Sequence, residues 1–195
     1  MVKIGILGDI GSGKSFVANS FGYPVFNADK IVAELYQNDK LIFSKLKKIL
    51  PKHFSKFPIS KNKVLDAIFD DERNLKKIVK IVHKEVRKKL NIFLKQNSSK
   101  RIVILDIPLL LENKINNKQD ILVFVQSQKI DILKRLKKRK NYNRKLLSIF
   151  KKIQLPLDFK KKKSKYIIKN DFTKKKIFKE IKYILKDINK WKKSS

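Results

Sequence analysis

Cysteine is absent from all 195 residues, which excludes disulfides and thiolate metal sites. Long apolar runs are missing too, and none approaches the ~20 residues needed to span a bilayer. The chain enters an apolar strand at Val2, leaving no room for a signal peptide, so a soluble cytoplasmic protein is expected. Acidic residues are few: 17 against 50 basic ones, for a net charge of +33. Such a balance suggests nucleic acid or an acidic membrane surface. Arginine is nevertheless rare, with six arginines beside 44 lysines, and readers of nucleic acid favour arginine for bidentate contacts. Lysine, isoleucine, asparagine and phenylalanine are abundant together, while glycine and proline number five each. That pattern reads as codon bias from an AT-rich genome. No specific nucleic-acid or membrane partner is expected, and a monomer or weak homo-oligomer is the expected form.

What is present is concentrated at the amino terminus. All five glycines fall within the first 22 residues, three of them in Gly8-Asp9-Ile10-Gly11-Ser12-Gly13-Lys14-Ser15. This octapeptide fits G-x-x-x-x-G-K-[ST], the phosphate-binding P-loop, between an apolar strand at 2–7 and a short helix at 16–21. Glycines let successive backbone N–H groups turn toward phosphate oxygens, helped by the start of the following helix. Gly8, Gly11, Ser12, Gly13, Lys14, Ser15 and Phe16 are therefore candidates for binding a nucleoside triphosphate. Lys14 would reach the β- and γ-phosphates, and Ser15 would ligate Mg²⁺.

Further strands are expected at 24–26, 101–107, 121–126 and 166–168. They are short, rich in β-branched residues and almost continuously apolar, as strands covered on both faces should be. Alternation with helices predicts an α/β domain with a five-stranded parallel sheet. From about Lys30 to Gln96 the pattern is mainly helical and too long for a simple crossover. Leu41, Ile42, Leu46 and Ile49 share one helical face there, and Leu75, Ile78, Val79, Val82, Val86, Leu90 and Phe93 share another. Helices are also expected at 128–139, across a basic stretch at 140–165 broken by Leu155-Pro156, and at 173–191. The run 160–163, four lysines, reads as solvated surface on composition, or alternatively as part of a lid over phosphates.

Phosphoryl chemistry needs a carboxylate near Mg²⁺ and a group to orient the nucleophile. The apolar run 101–105 ends in Asp106, the form of a Walker B strand, although a terminal Asp can also serve as a cap. Asp29 follows the second strand, where it would accept a proton from a hydroxyl or cap the helix starting at Lys30. Arg139 is either a lid arginine gripping phosphate or a surface residue.

Taken in order, these pieces resemble the dephospho-CoA kinase family from Ile4 to about Asn170. The family's G-L-T-G-G-I-G-S-G-K-S is matched by Gly5 through Ser15, and its D-A-D by Asn27-Ala28-Asp29. Its phenylalanine-to-histidine segment aligns with Phe69 through His83-Lys84. Pro108-Leu109-Leu110-Leu111-Glu112 carries the diagnostic P-L-L-x-E box. Arg135, Arg139, Gln154, Pro156 and Lys160 keep the pattern R-x-x-x-R…Q-x-P-x-x-x-K, and Ile168-Lys169-Asn170 closes the match.

The resemblance implies a P-loop NTPase-type three-layer fold in a single kinase domain over 1–195. It has a helical substrate-binding insertion (30–96) and a lid (139–165). It also implies transfer of the ATP γ-phosphate to the 3′-hydroxyl of dephospho-CoA, the last step of coenzyme A biosynthesis. Asp29, Lys14 and Arg139 would be catalytic, and Asp29, His83, Pro108, Leu109, Leu110 and Glu112 would meet the acceptor. Ser15 and Asp106 would serve Mg²⁺, and Asn170 would lie near the adenine. His83, on an apolar helical face, reads as a packing or substrate-contact residue rather than a catalyst.

Departures from the family pattern are Leu7, Asp9, Phe16, Asn27, Lys84 and Ser164-Lys165. Asp9 puts a carboxylate on the phosphate loop. At an effective dielectric near 20, two like charges about 6 Å apart repel by roughly 3 kcal/mol. The rival readings are another small-molecule or nucleotide P-loop kinase, and a degenerate P-loop protein that binds nucleic acid through its lysines.

Overall fold

The computed structural model describes residues 1–139 and 142–191. Of the basic stretch expected at 140–165, Lys140 and Asn141 thus lie outside the described residues. The chain divides into two compact units, residues 27–96 and the remainder.

The larger unit is built on β1 (Val2–Gly8), β2 (Val25–Asn27, whose last residue belongs to the smaller unit), β3 (Ile102–Asp106), β4 (Ile121–Gln126) and β5 (Tyr166–Lys169). They form one parallel α/β sheet in the order β2-β3-β1-β4-β5. Its helices are α1 (Lys14–Ser20), α6 (Lys129–Lys137), α7 (Arg144–Lys152), α8 (Leu157–Lys163) and α9 (Lys174–Trp191).

Side chains alternate across a strand, and here both sets are covered. Ile4 and Ile6 of β1, Ile102 and Ile104 of β3, Val123 and Val125 of β4, and Ile168 of β5 join one cluster. Val17, Ala18 and Phe21 of α1 and Ile177, Ile181, Ile184 and Ile188 of α9 complete it. On the other face Gly5 looks toward Leu110 and Leu122. Burial on both faces explains the unbroken apolarity of the strands, each large side chain contributing about 1.5–3 kcal/mol.

The smaller unit holds α2 (Ala28–Asn38), α3 (Lys40–Ile49), α4 (Lys61–Asp70) and α5 (Arg73–Gln96). The side chains of Asn27, Asp39 and Ser60 cap α2, α3 and α4 by accepting backbone N–H bonds, as these residue types do at helix starts. Its core gathers Leu35, Ile42, Leu46, Phe54, Ile68, Leu75, Ile78, Val82, Val86 and Leu90. One expectation fails in α3. Ile42 and Leu46 are buried, but Leu41 is 69% exposed and Ile49 40%. A helix three turns long buries a stripe, and these two residues lie on its margins. No helix among the described residues is long and apolar enough to cross a membrane.

Candidate nucleotide site

The P-loop joins β1 to α1. Gly8 has φ +148°, and a Cβ there would lie 2.7 Å from both Ser12 Oγ and the Val125 carbonyl. Gly13 has φ +90° and precedes α1 as its cap, and a Cβ on it would run into Asn170 Nδ2. Only glycine fits either position without moving its neighbours. Behind the loop, Asn170 Nδ2 donates to the Ser12 carbonyl at 2.7 Å, and Ser127 Oγ donates to the same oxygen at 3.0 Å. These donors stand just past the ends of β5 and β4, so the sheet itself sets the loop's path. Asn170 is buried, and its Oδ1 accepts the Phe172 N–H at 2.8 Å. Asn170, expected near the adenine, thus braces the loop from behind.

Lys14 Nζ donates to the Asp9 carbonyl at 2.8 Å and to the Gly8 carbonyl at 3.2 Å. A charged phosphate oxygen would make a stronger, charge-assisted bond than either carbonyl. Asp9 turns its carboxylate onto the loop: Oδ1 accepts the Ile10 N–H at 2.7 Å, and Oδ2 lies 3.9 Å from Lys151 Nζ of α7. Ser15 is exposed at the first turn of α1, as is Phe16. Asp106 is buried and ends β3, one position beyond the Gly5–Leu105 register pair. Among the described residues no group of three or more His, Cys, Asp or Glu gathers to hold a metal.

Arg139 is exposed just after α6, its N–H bonded to the Leu136 carbonyl at 3.0 Å. Arg135 places its guanidinium 4.1 Å from the centre of the Phe172 ring. Phe172 has φ +66°, and its Cε1 lies 3.3 Å from where a Gly13 Cβ would be. This stacked pair beside the loop was not singled out as site chemistry in the sequence. Its sequence signals are Arg135 as the first arginine of the R-x-x-x-R pattern and an aromatic two residues past Asn170.

In the P-L-L-x-E box, Pro108 and Leu109 are half-buried and Leu110 is fully buried. Leu110 Cδ2 comes within 2.5 Å of where a Gly5 Cβ would stand. It is a core residue rather than a substrate contact. Glu112 points inward as well: Oε1 lies 2.6 Å from Lys160 Nζ and accepts the Leu155 N–H at 3.0 Å. Its Oε2 is buried without a hydrogen-bond partner among the described residues. The four-lysine run is thereby corrected: Lys160 is 1% exposed and ion-paired, not solvated.

In the smaller unit, Asp29 is exposed in the first turn of α2. The cap is Asn27, whose Oδ1 accepts the Lys30 N–H at 2.9 Å, so Asp29 is not the capping residue. His83 is half-buried on α5, and burial, aided by the nearby positive charge of Arg87, holds its imidazole below the usual value. It is therefore neutral at pH 7.

A profile of dephospho-CoA kinases matches residues 2–176. The chain belongs to the dephospho-CoA kinase family. A relative with that description from Wolbachia sp. subsp. Brugia malayi (strain TRS) is 33% identical over 191 residues, covering 95% of this chain and 97% of the relative. Among solved structures, a Thermus thermophilus protein aligns with TM-score 0.74 and 26% identity over 95% of this chain and 97% of its own. The dephospho-CoA kinase from Campylobacter jejuni shares the fold at TM-score 0.61 and 22% identity, over 95% and 96% of the two chains. Family membership makes the chain an ATP-dependent kinase.

Proposed function

We propose that this chain transfers the γ-phosphoryl group of ATP to the 3′-hydroxyl of dephospho-CoA, completing coenzyme A in the cytoplasm. The observation that carries the reading is the family match across residues 2–176. In the reaction the 3′-oxygen bonds to the γ-phosphorus, the bond from that phosphorus to the β-phosphate oxygen breaks, and ADP leaves. Asp29, at an exposed position two residues past β2, takes the hydroxyl proton. Lys14 moves from its loop carbonyls to the phosphates, and Arg139 balances charge spread over the transferred group.

Ser15 and Asp106 suit magnesium, since one hydroxyl and one carboxylate leave the other positions to phosphate oxygens and water, the usual division for this ion. When bound with ATP, magnesium would draw charge from the β- and γ-phosphate oxygens. His83, Pro108 and Leu109 are assigned to the acceptor. A neutral His83 would donate or accept a hydrogen bond without adding charge. Residues 30–96 form the acceptor-binding insertion and 139–165 the lid. The enzyme works as a monomer or weak homo-oligomer, with no specific nucleic-acid partner.

Asp29→Asn tests the base directly. It should lower kcat by about 10²–10⁴-fold, the contribution of a positioned general base, with KM for ATP unchanged. A fully active variant would remove Asp29 from the mechanism.

A further inference from the structure

Lys160 is the one buried lysine among the described residues. Burying an ammonium is costly unless it is paired and hydrogen-bonded. Here Nζ reaches Glu112 Oε1 at 2.6 Å and Gln154 Oε1 at 3.4 Å, and the same Glu112 oxygen holds the Leu155 backbone N–H at 3.0 Å. The carboxylate thus holds Leu155 of the α7–α8 connection and Lys160 of α8, and the ammonium in turn reaches Gln154.

Both sides of this clamp are fastened to the strand that runs into the P-loop. Glu112 follows Leu110, which packs at Gly5 of β1, and α8 packs against β1 as well. Just before the clamp, α7 ends at Lys152, and Lys151 faces the Asp9 carboxylate of the phosphate loop at 3.9 Å. Lys151 is separated from Gln154 by two residues, too short a tether to let the end of α7 wander while the clamp holds.

Stability alone does not account for a charged clamp. A buried ion pair replaced by well-packed apolar side chains is often no less stable. What the pair adds is direction, because a short ammonium–carboxylate bond with a shared backbone donor tolerates little slippage. The Lys160 side chain is 1% exposed and that of Glu112 9%, so the pair faces the interior.

We propose that the Glu112–Lys160 pair is a positioning device for phosphoryl transfer. It fixes the carboxyl-terminal end of α7 relative to the P-loop, so that the basic residues of α7 meet the phosphates in one register. The proposal rests on the kinase reading above.

The test compares the parent with Glu112→Gln, Lys160→Met and the double variant, using melting curves and steady-state kinetics with MgATP and dephospho-CoA. Glu112→Gln strands an ammonium and should melt lower, whereas the double variant removes both charges and should melt close to the parent. The double variant should still lose about 10- to 100-fold in kcat, the size of effect that a small misplacement of reacting groups produces, with KM for ATP unchanged. Parent-like kcat in the double variant overturns the proposal, as does a rise in KM for ATP with kcat intact.

If the double variant melts far below the parent, hydrogen exchange on the parent decides instead. The Leu155 amide should exchange more slowly than the first-turn amides of α7, and equal rates overturn the clamp. A parent that fails to phosphorylate dephospho-CoA overturns the kinase reading and this proposal together. An active parent with an equally active double variant overturns this proposal alone.

Discussion

Asp9 places a carboxylate on the loop assigned to phosphates, and its neighbours decide what that charge does. One oxygen takes the Ile10 N–H, and the other faces Lys151. The lysine is exposed and the separation is 3.9 Å, so screening leaves the compensation partial. If about half of the roughly 3 kcal/mol repulsion survives, Asp9→Gly should lower KM for ATP about tenfold. Initial rates at varied ATP check this, and an unchanged KM would mean that Lys151 neutralises the charge fully.

Tyr36 gives a second residue-scale expectation. Burial pushes its hydroxyl up to about 12. Between pH 10 and 12 the unfolded chain has therefore lost a proton that the folded one keeps. Its contribution to stability is complete below pH 10 and is lost as pH rises toward 12. Tyr36→Phe should lose less stability than the parent across that window, by on the order of 2 kcal/mol. Denaturant titrations at pH 9.5 and 11.5 read the difference, and parallel losses would contradict it. Not every residue role was legible in the sequence. Asn27 and Asp29 are both good cap formers, and only the structure shows that the Asn27 side chain takes the Lys30 N–H, while Asp29 is exposed in the first turn of α2.

At the scale of elements, the phosphate loop was readable because it needs backbone conformations that leave glycine as their mark. Gly13 at φ +90° sits against Asn170 and Phe172. Gly13→Ala should strain the turn and push Asn170 off the Ser12 carbonyl, for a combined loss of about 2–3 kcal/mol. That corresponds to roughly 5–10 °C in melting temperature for a chain of this size. A thermal melt identical to the parent's would show that the loop tolerates the methyl group. The strands were legible to within a residue or two, since burial on both faces gives a continuous apolar run. Composition hid the burial of Lys160 for a physical reason: charge alone does not tell four consecutive lysines apart when the counter-charge lies far along the chain. Only the pattern Q-x-P-x-x-x-K marked this one. The box that supplies this counter-charge looked like a substrate contact, although Leu110 and Glu112 both turn inward.

For the whole molecule the net charge of +33 is the feature most open to a second explanation. A lysine-coated surface attracts any polyanion at low salt, and that attraction falls steeply as salt is added. Near physiological ionic strength the screening length is about 8 Å, so a kinase with a built phosphate loop should keep its acceptor preference while adventitious nucleic-acid binding fades. The most direct measurement is a coupled ADP-release assay with MgATP near 0.15 M salt. It would offer dephospho-CoA, AMP, adenosine and RNA in parallel, and the product would be identified by mass and by the position of its new phosphate. The expected result is turnover with dephospho-CoA alone, yielding a 3′-phosphorylated product and abolished by Lys14→Ala. Turnover that prefers another acceptor, or none at all with dephospho-CoA, would contradict the assignment.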